Sequence, residues 1–178
     1  NIIGYHGMTS DIFNIYNYCH FWLYRMEEHL KQEHTEIIKI AIVGPESTGK
    51  TTLASQLAEE FNTNWIPEFA RDYLQDKWDL KQEICVKEDL MPIAIGQTQL
   101  ENQALKNANK ILFCDTTVLV TKVFSDINYN SCDAIIAKAA KKHKYDLIFL
   151  TDVDVPWEKD DLRDKPNDRE ESMAIFEQ

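Results

Sequence analysis

The chain has 178 residues, 44% hydrophobic, 28% charged and 11% aromatic, a composition that fits one compact domain and excludes disordered or collagen-like polymers. Lys and Arg number 19 against 30 Asp and Glu, a formal net charge of −11. The molecule as a whole therefore repels nucleic acid and anionic membranes, and any polyanion it binds must be held by a local device. Apolar runs such as 21–24 and 40–43 fall far short of the roughly 20 residues of a membrane helix.

Cys19, Cys85, Cys114 and Cys132 are scattered, with no CxxC pair and no Cys/His cluster, so neither a disulfide framework nor a structural zinc site is signalled. A reducing, cytoplasmic setting is expected. The first residues, Asn1-Ile2-Ile3-Gly4, lack the basic region, apolar stretch and small-residue site of a secretory leader. Met26 is an equally good natural start, in which case residues 1–25 come from elsewhere.

Residues 1–36 read as a helical appendage. From Asp11 to Leu30 the apolar residues Ile12, Ile15, Cys19, Trp22, Leu23 and Met26 share one helix side, and that side needs a partner. It packs on the domain, on a second copy to give a homo-oligomer, or on another protein. Residues 37–178 form the main domain.

The main domain opens on Glu36-Ile37-Ile38-Lys39-Ile40-Ala41-Ile42-Val43, a β-branched run of the kind buried on both faces of a parallel sheet. After a glycine loop, Leu53, Leu57 and Phe61, with Ala54 and Ala58, mark a helix with one buried face. Residues 64–69 read as a second strand closed by Pro67, and 71–77 as a short helical piece. A long helical pattern covers 89–110 with Pro92 in its first turn. Residues 111–115 are a third strand ending in Asp115. Residues 131–142 are predicted helical with Ser131 as N-cap and Lys138, Lys141, Lys142 and His143 toward the C-terminal end. Residues 145–151 form a fourth strand. An acidic stretch from Asp152 to Asp164 reads as a loop over the sheet end, and Asn167 with Glu170 forms a capping-box-like opening of a last helix. Alternating strands and helices imply right-handed crossovers and an α/β fold, a three-layer α/β/α sandwich around a parallel sheet.

Gly44-Pro45-Glu46-Ser47-Thr48-Gly49-Lys50-Thr51 matches G-x-x-x-x-G-K-[ST] in full, with Thr52 after it. It stands between a buried strand and an amphipathic helix, the context this phosphate loop requires. The glycines let successive N–H groups converge and the helix N-terminus adds positive potential. Lys50 then reaches the β- and γ-phosphates, and the Thr51 hydroxyl can ligate Mg2+. Such a nest resolves the charge objection, because backbone dipoles and one lysine hold triphosphate on an acidic protein.

Asp115, at the carboxyl end of its strand, is a candidate second group for the Mg2+ shell; the alternative is a capping or ion-paired aspartate. Glu68 would lie at the same sheet edge, where a carboxylate can take the proton of an attacking hydroxyl; the alternative is a glutamate paired with Arg71. Arg163, in the acidic loop, can close over a transferring phosphoryl or make a surface ion pair. Trp65 and Trp157 can stack on a flat cationic ring or fill the core. His29 and His34 are five apart and share no helix face, so no metal site is expected there.

These motifs, taken together, resemble the nicotinamide riboside kinase domain of NadR-type proteins. The resemblance rests on Gly44 to Leu53, Phe61-Asn62-Thr63 leading to Pro67-Glu68-Phe69-Ala70-Arg71-Asp72-Tyr73, Asp115-Thr116-Thr117 with Thr121-Lys122-Val123-Phe124, Tyr145-Asp146-Leu147, and Thr151-Asp152-Val153-Asp154-Val155-Pro156-Trp157 with Asp161-Leu162-Arg163-Asp164. It runs from about Ile37 to the end.

It implies a P-loop kinase fold with sheet order 2-3-1-4 and a fifth strand beyond Gln178. It also implies ATP- and Mg2+-dependent phosphorylation of the ribose 5′-hydroxyl of nicotinamide riboside. On that resemblance Glu68 and Asp115 are the acids, Arg71 lies near the substrate, and the 152–164 loop with Trp157 and Arg163 closes the site. Full NadR proteins also carry an adenylyltransferase domain, and some a DNA-binding one. Residues 1–36 hold neither, and His6-Gly7 lacks the second histidine of HxGH, so a stand-alone kinase is expected. A kinase for another nucleoside or small alcohol, or a non-catalytic nucleotide switch docking a protein, are the alternatives.

Overall fold

The computed structural model describes residues 24–158, 162 and 169–177. Four strands, β1 (Ile38–Val43), β2 (Asn64–Ile66), β3 (Ile111–Asp115) and β4 (Leu147–Leu150), form one sheet in the order β2-β3-β1-β4. Every pairing is parallel, with Ile42 opposite Asp115 and Phe149, and Trp65 opposite Phe113. The predicted order of the first four strands is therefore the observed one.

Because side chains alternate along a strand, each strand feeds two faces. One face carries Ile40, Ile42, Phe113 and Trp65, which pack against Ala54 and Ala58 of α1 (Lys50–Glu60). The other carries Ile66, Leu112 and Cys114, which meet Ala104 at the end of α3 (Leu90–Ala104) and Leu105 and Ala108 after it. Between these helices in the chain lies α2 (Phe69–Lys81). A third cluster joins Leu90 and Ala94 of α3 to Val118 of α4 (Val118–Tyr129) and to Ile135, Ile136 and Ala139 of α5 (Ala134–Lys142). A last helix, α6, spans Arg169–Phe176. Sheet and helices thus make the three layers of a P-loop α/β/α sandwich.

Leu30 is buried in the third cluster and Met26 packs beside it. Lys138 of α5 binds Glu27 at 2.7 Å, and His143 Nε2 lies 2.8 Å from the Leu30 carbonyl. The end of the predicted appendage is thus seated on the domain; its other apolar positions, Ile12 to Leu23, lie outside the described residues.

Several local expectations are corrected. Ser131 is not the cap of α5: Asp133 is, its Oδ1 accepting from Ile135 N at 2.7 Å, while Ser131 Oγ donates to the Tyr129 carbonyl and accepts from Lys87 Nζ. Asp133 stands one residue before the helix, where a side chain can reach its first amides. Helix α2 runs from Phe69 to Lys81 rather than 71–77, and none of its residues is fully buried, so it lacks a clear apolar stripe. Helix α4 had no counterpart in the sequence reading. Thr117 caps it, accepting from Leu119 N at 3.2 Å. Phe61 is not on the buried face of α1; it is the C-cap, 52% exposed, with its ring 5.9 Å from Phe113.

At the sheet end remote from the glycine loop, Lys39 Nζ lies 2.9 Å from Glu101 Oε1, and Tyr145 donates to Glu101 Oε2 at 2.7 Å. Gln32 also donates to Glu101. Both charges are buried, and each is tolerated there because the other and the added donors satisfy it. On the open side, β4 is an edge: its residues Leu147, Ile148, Phe149 and Leu150 are all 36–49% exposed among the described residues. No helix among the described residues is long and apolar enough to cross a membrane.

Candidate active site

The glycine loop leaves β1 and enters α1 with a left-handed backbone at three positions: Gly44 (φ +143), Ser47 (φ 54) and Gly49 (φ 80). Gly49 is the N-cap of α1 and offers no side-chain cap, so the first-turn amides remain available to an anion. Thr48 Oγ1 donates to the Pro45 carbonyl at 2.8 Å and lies 2.7 Å from Thr151 Oγ1. Lys50 Nζ donates to the same carbonyl at 2.6 Å. The loop is therefore shaped by its own hydroxyl, carbonyl and ammonium groups.

Gly44 admits no other residue without movement. A Cβ there would lie 2.5 Å from Thr151 Oγ1 and 2.8 Å from its carbonyl oxygen, in addition to the backbone strain. We expect Gly44→Ala to lower unfolding free energy by about 1–3 kcal/mol in a urea titration and to weaken nucleotide binding; equal stability would show that Thr151 and β4 yield freely.

Asp115 closes β3 and is 1% exposed. Its Oδ2 accepts from Thr51 Oγ1 at 2.5 Å, whereas Oδ1 is buried without a partner among the described residues. Burial pushes its carboxyl above the usual aspartate range, against the opposing effects of the Thr51 hydrogen bond and the Lys50 charge. A hard-oxygen pair with one oxygen unused fits Mg2+, which takes a few protein oxygens and leaves its other positions to water and phosphate.

Glu68 is the N-cap residue of α2. It is half-buried, open only toward the cleft. Desolvation there raises its pKa from the ordinary 4.5, with Asp115 and Glu46 adding to the rise and Lys50 and Arg71 opposing it. Three carboxylates and two cations thus share one field.

All of this lines one cleft of about 930 Å3. Its polar lining is the loop, Gly44 and Glu46 to Thr52, with Glu68, Arg71 and Asp115; its apolar lining includes Leu74, Leu90, Ile93 and Phe124. Pro45 contributes its carbonyl rather than a wall. The 152–158 segment arches over the loop: Glu158 N donates to Ser47 Oγ at 3.0 Å, and Val155 and Pro156 face the cleft.

Trp65 is not part of this cleft. Strand alternation sends its ring into the cluster under α1, with Phe113 and Ile42, so it fills core. Trp157 is half-buried, its indole N–H lacking a partner among the described residues, and its neighbours rather than its own ring line the cleft. Arg163 lies outside the described residues. Sequence reasoning missed Gln97, Thr116 and Thr121, which also line the cleft. Gln97 is one of three polar residues, with Thr98 and Glu101, on the buried side of α3, and neither it nor Thr116, with φ 64, carried a signal that singled it out.

Residues 39–178 match the AAA_28 family, described as AAA domain. The chain belongs to that family. This AAA_28 domain is 33% identical over 124 residues to the "Trifunctional NAD biosynthesis/regulator protein NadR" of Salmonella typhimurium, and equally to that of Escherichia coli. Each match covers 70% of this chain and 30% of the relative. Among solved structures, a NadR protein in complex with NR superposes with TM-score 0.60 at 24% identity, and one with NAD and AMP-PNP with 0.63 at 22%. Each covers 80% of this chain and 40% of the other. The AAA_28 domain is thus a NadR-like P-loop nucleotide-binding domain, as its motifs led us to expect.

Proposed function

We propose that this domain transfers the γ-phosphoryl group of ATP to the ribose 5′-hydroxyl of nicotinamide riboside, giving nicotinamide mononucleotide and ADP. The observation that carries the reading is the meeting of the phosphate loop, Asp115 and Glu68 in one cleft that also has apolar lining. Further support comes from the NadR relatives, whose name refers to NAD biosynthesis, and from the NadR structure solved with NR. A cationic pyridinium ring also suits a chain of net charge −11.

The loop amides and Lys50 bind and neutralise the phosphates, and Thr51 with the unused Asp115 Oδ1 would hold Mg2+, whose charge assists the developing negative charge. Glu68 accepts the 5′-hydroxyl proton as that oxygen bonds to the γ-phosphorus and the bond to the β-phosphate oxygen breaks, releasing ADP. Arg71 stands beside Glu68 and helps keep it ionised. Closure of the 152–164 loop, with Trp157 and Arg163, would exclude water from the transfer.

The test is formation of nicotinamide mononucleotide from Mg-ATP, alongside a panel of other nucleosides and small alcohols. Glu68→Gln should cut kcat by roughly 10²–10⁴-fold with ATP binding retained. In the parent protein, kcat/KM should fall on acidification with a limb above 4.5, because burial lifts Glu68 of the free protein from that value. Unchanged turnover in the glutamine variant removes Glu68 from the base role, and a better acceptor in the panel replaces the substrate.

A further inference from the structure

The chain holds Glu68 by a device that lies on a different helix. Gln97, in α3, is 3% exposed. Its Oε1 accepts from Phe69 N at 2.8 Å, and its Nε2 reaches the Pro67 carbonyl at 3.4 Å. One side-chain amide therefore grips the peptide groups on both sides of Glu68. The Phe69 N–H can only donate, which fixes the orientation of the amide.

Phe69 N is among the first amides of α2, which have no partner within their helix, and Glu68 supplies no side-chain cap of its own. The capping oxygen thus comes from Gln97, leaving the Glu68 carboxylate turned to the cleft instead of folded onto its own helix. The neighbouring Gly96 completes the seat. A Cβ at Gly96 would lie 2.2–2.5 Å from three atoms of the Phe69 ring, so the ring rests directly on the α3 backbone.

We propose that Gln97 is a positioning residue for phosphoryl transfer: it aims Glu68 at the acceptor hydroxyl by clamping residues 67 and 69, with Gly96 setting how closely α2 approaches. The inference rests on the base role given to Glu68 above. Gln97 is proposed to act through Glu68, by way of its hydrogen bonds to Phe69 N and the Pro67 carbonyl.

The experiment is a double-mutant cycle on nicotinamide mononucleotide formation, with full Mg-ATP and acceptor titrations. Gln97→Met keeps length and volume but removes both hydrogen bonds. It should lower kcat roughly 10- to 100-fold, the scale of a small misplacement of a catalytic group, with KM for Mg-ATP unchanged. In the Glu68→Gln background the same substitution should cost less than about 2-fold, since nothing remains to be aimed.

Gly96→Ala gives a second arm, in which the helix preference of alanine is opposed by overlap with the Phe69 ring, so its fold is checked by circular dichroism before its kinetics are read. It should lower kcat in the same way, and Phe69→Leu in that background should restore part of the loss by making room for the methyl group. Full cost of Gln97→Met in both backgrounds, a loss appearing in KM for ATP, or no loss at all would overturn the positioning role. If Glu68→Gln itself leaves kcat unchanged, it is the base assignment that fails.

Discussion

Lys50→Ala should give a folded protein whose kcat is lower by on the order of 10²–10³. The ammonium group lies inside the loop, 2.6 Å from the Pro45 carbonyl, and is partly rather than fully buried, so its loss leaves no large cavity and the circular dichroism spectrum should match that of the parent. Its role is electrostatic. With phosphates in the nest, it is the side-chain cation of the phosphate-loop motif, and removing one preorganised charge of this kind costs on the order of 10²–10³ in kcat. The loss also acts on the acids, because Lys50 opposes the rise of both Glu68 and Asp115. Both carboxyls then hold their protons more tightly, and the remaining activity should need a higher pH. Full turnover in this variant would mean that the loop does not serve the reaction.

Asp115→Asn should move activity and stability in opposite directions. The amide keeps the shape of the side chain but offers a magnesium ion no negative oxygen, and kcat should fall by at least about 100-fold with saturation shifted to higher Mg2+. The ligand-free protein, however, should melt at a higher temperature. A carboxyl whose pKa is higher folded than unfolded stabilises the fold at pH values below its unfolded pKa, and that contribution disappears as pH rises through the folded pKa. Asp115 is raised chiefly by burial, so at neutral pH its ionised form is a cost that asparagine removes. The difference in melting temperature between parent and variant should shrink as pH is lowered. A variant that melts lower at neutral pH would show that the bond from Thr51 outweighs desolvation.

The parts legible in the sequence are those whose cause is local. Strand β1 is a continuous apolar run, the loop after it is a chemical pattern, and α1 follows from its spacing, so the centre of the site could be placed by reading alone. Asp115 and Glu68 could be nominated because strand ends in such sheets point at the ligand edge. The failures have long-range causes. The Val118-Leu119-Val120-Thr121 run carries no expected element, yet it is the start of α4, decided by the Thr117 cap and by burial against α3 and α5. Trp65 could be put on a strand but not on a face; pairing with Phe113 turned it away from the cleft. Gln97 reaches Phe69 across 28 positions, and no pattern near either residue signals that bond.

Among the described residues the outer flank of β4 pairs with no further strand, and its four side chains are 36–49% exposed. A greasy margin with unpaired amides adheres to any extended chain or like margin that meets it, while a charge of −11 holds copies apart. The repulsion fades beyond about 8 Å at physiological salt; the adhesion does not depend on ions in that way. For that flank taken with the described residues alone, association is a contest that added electrolyte tips toward contact.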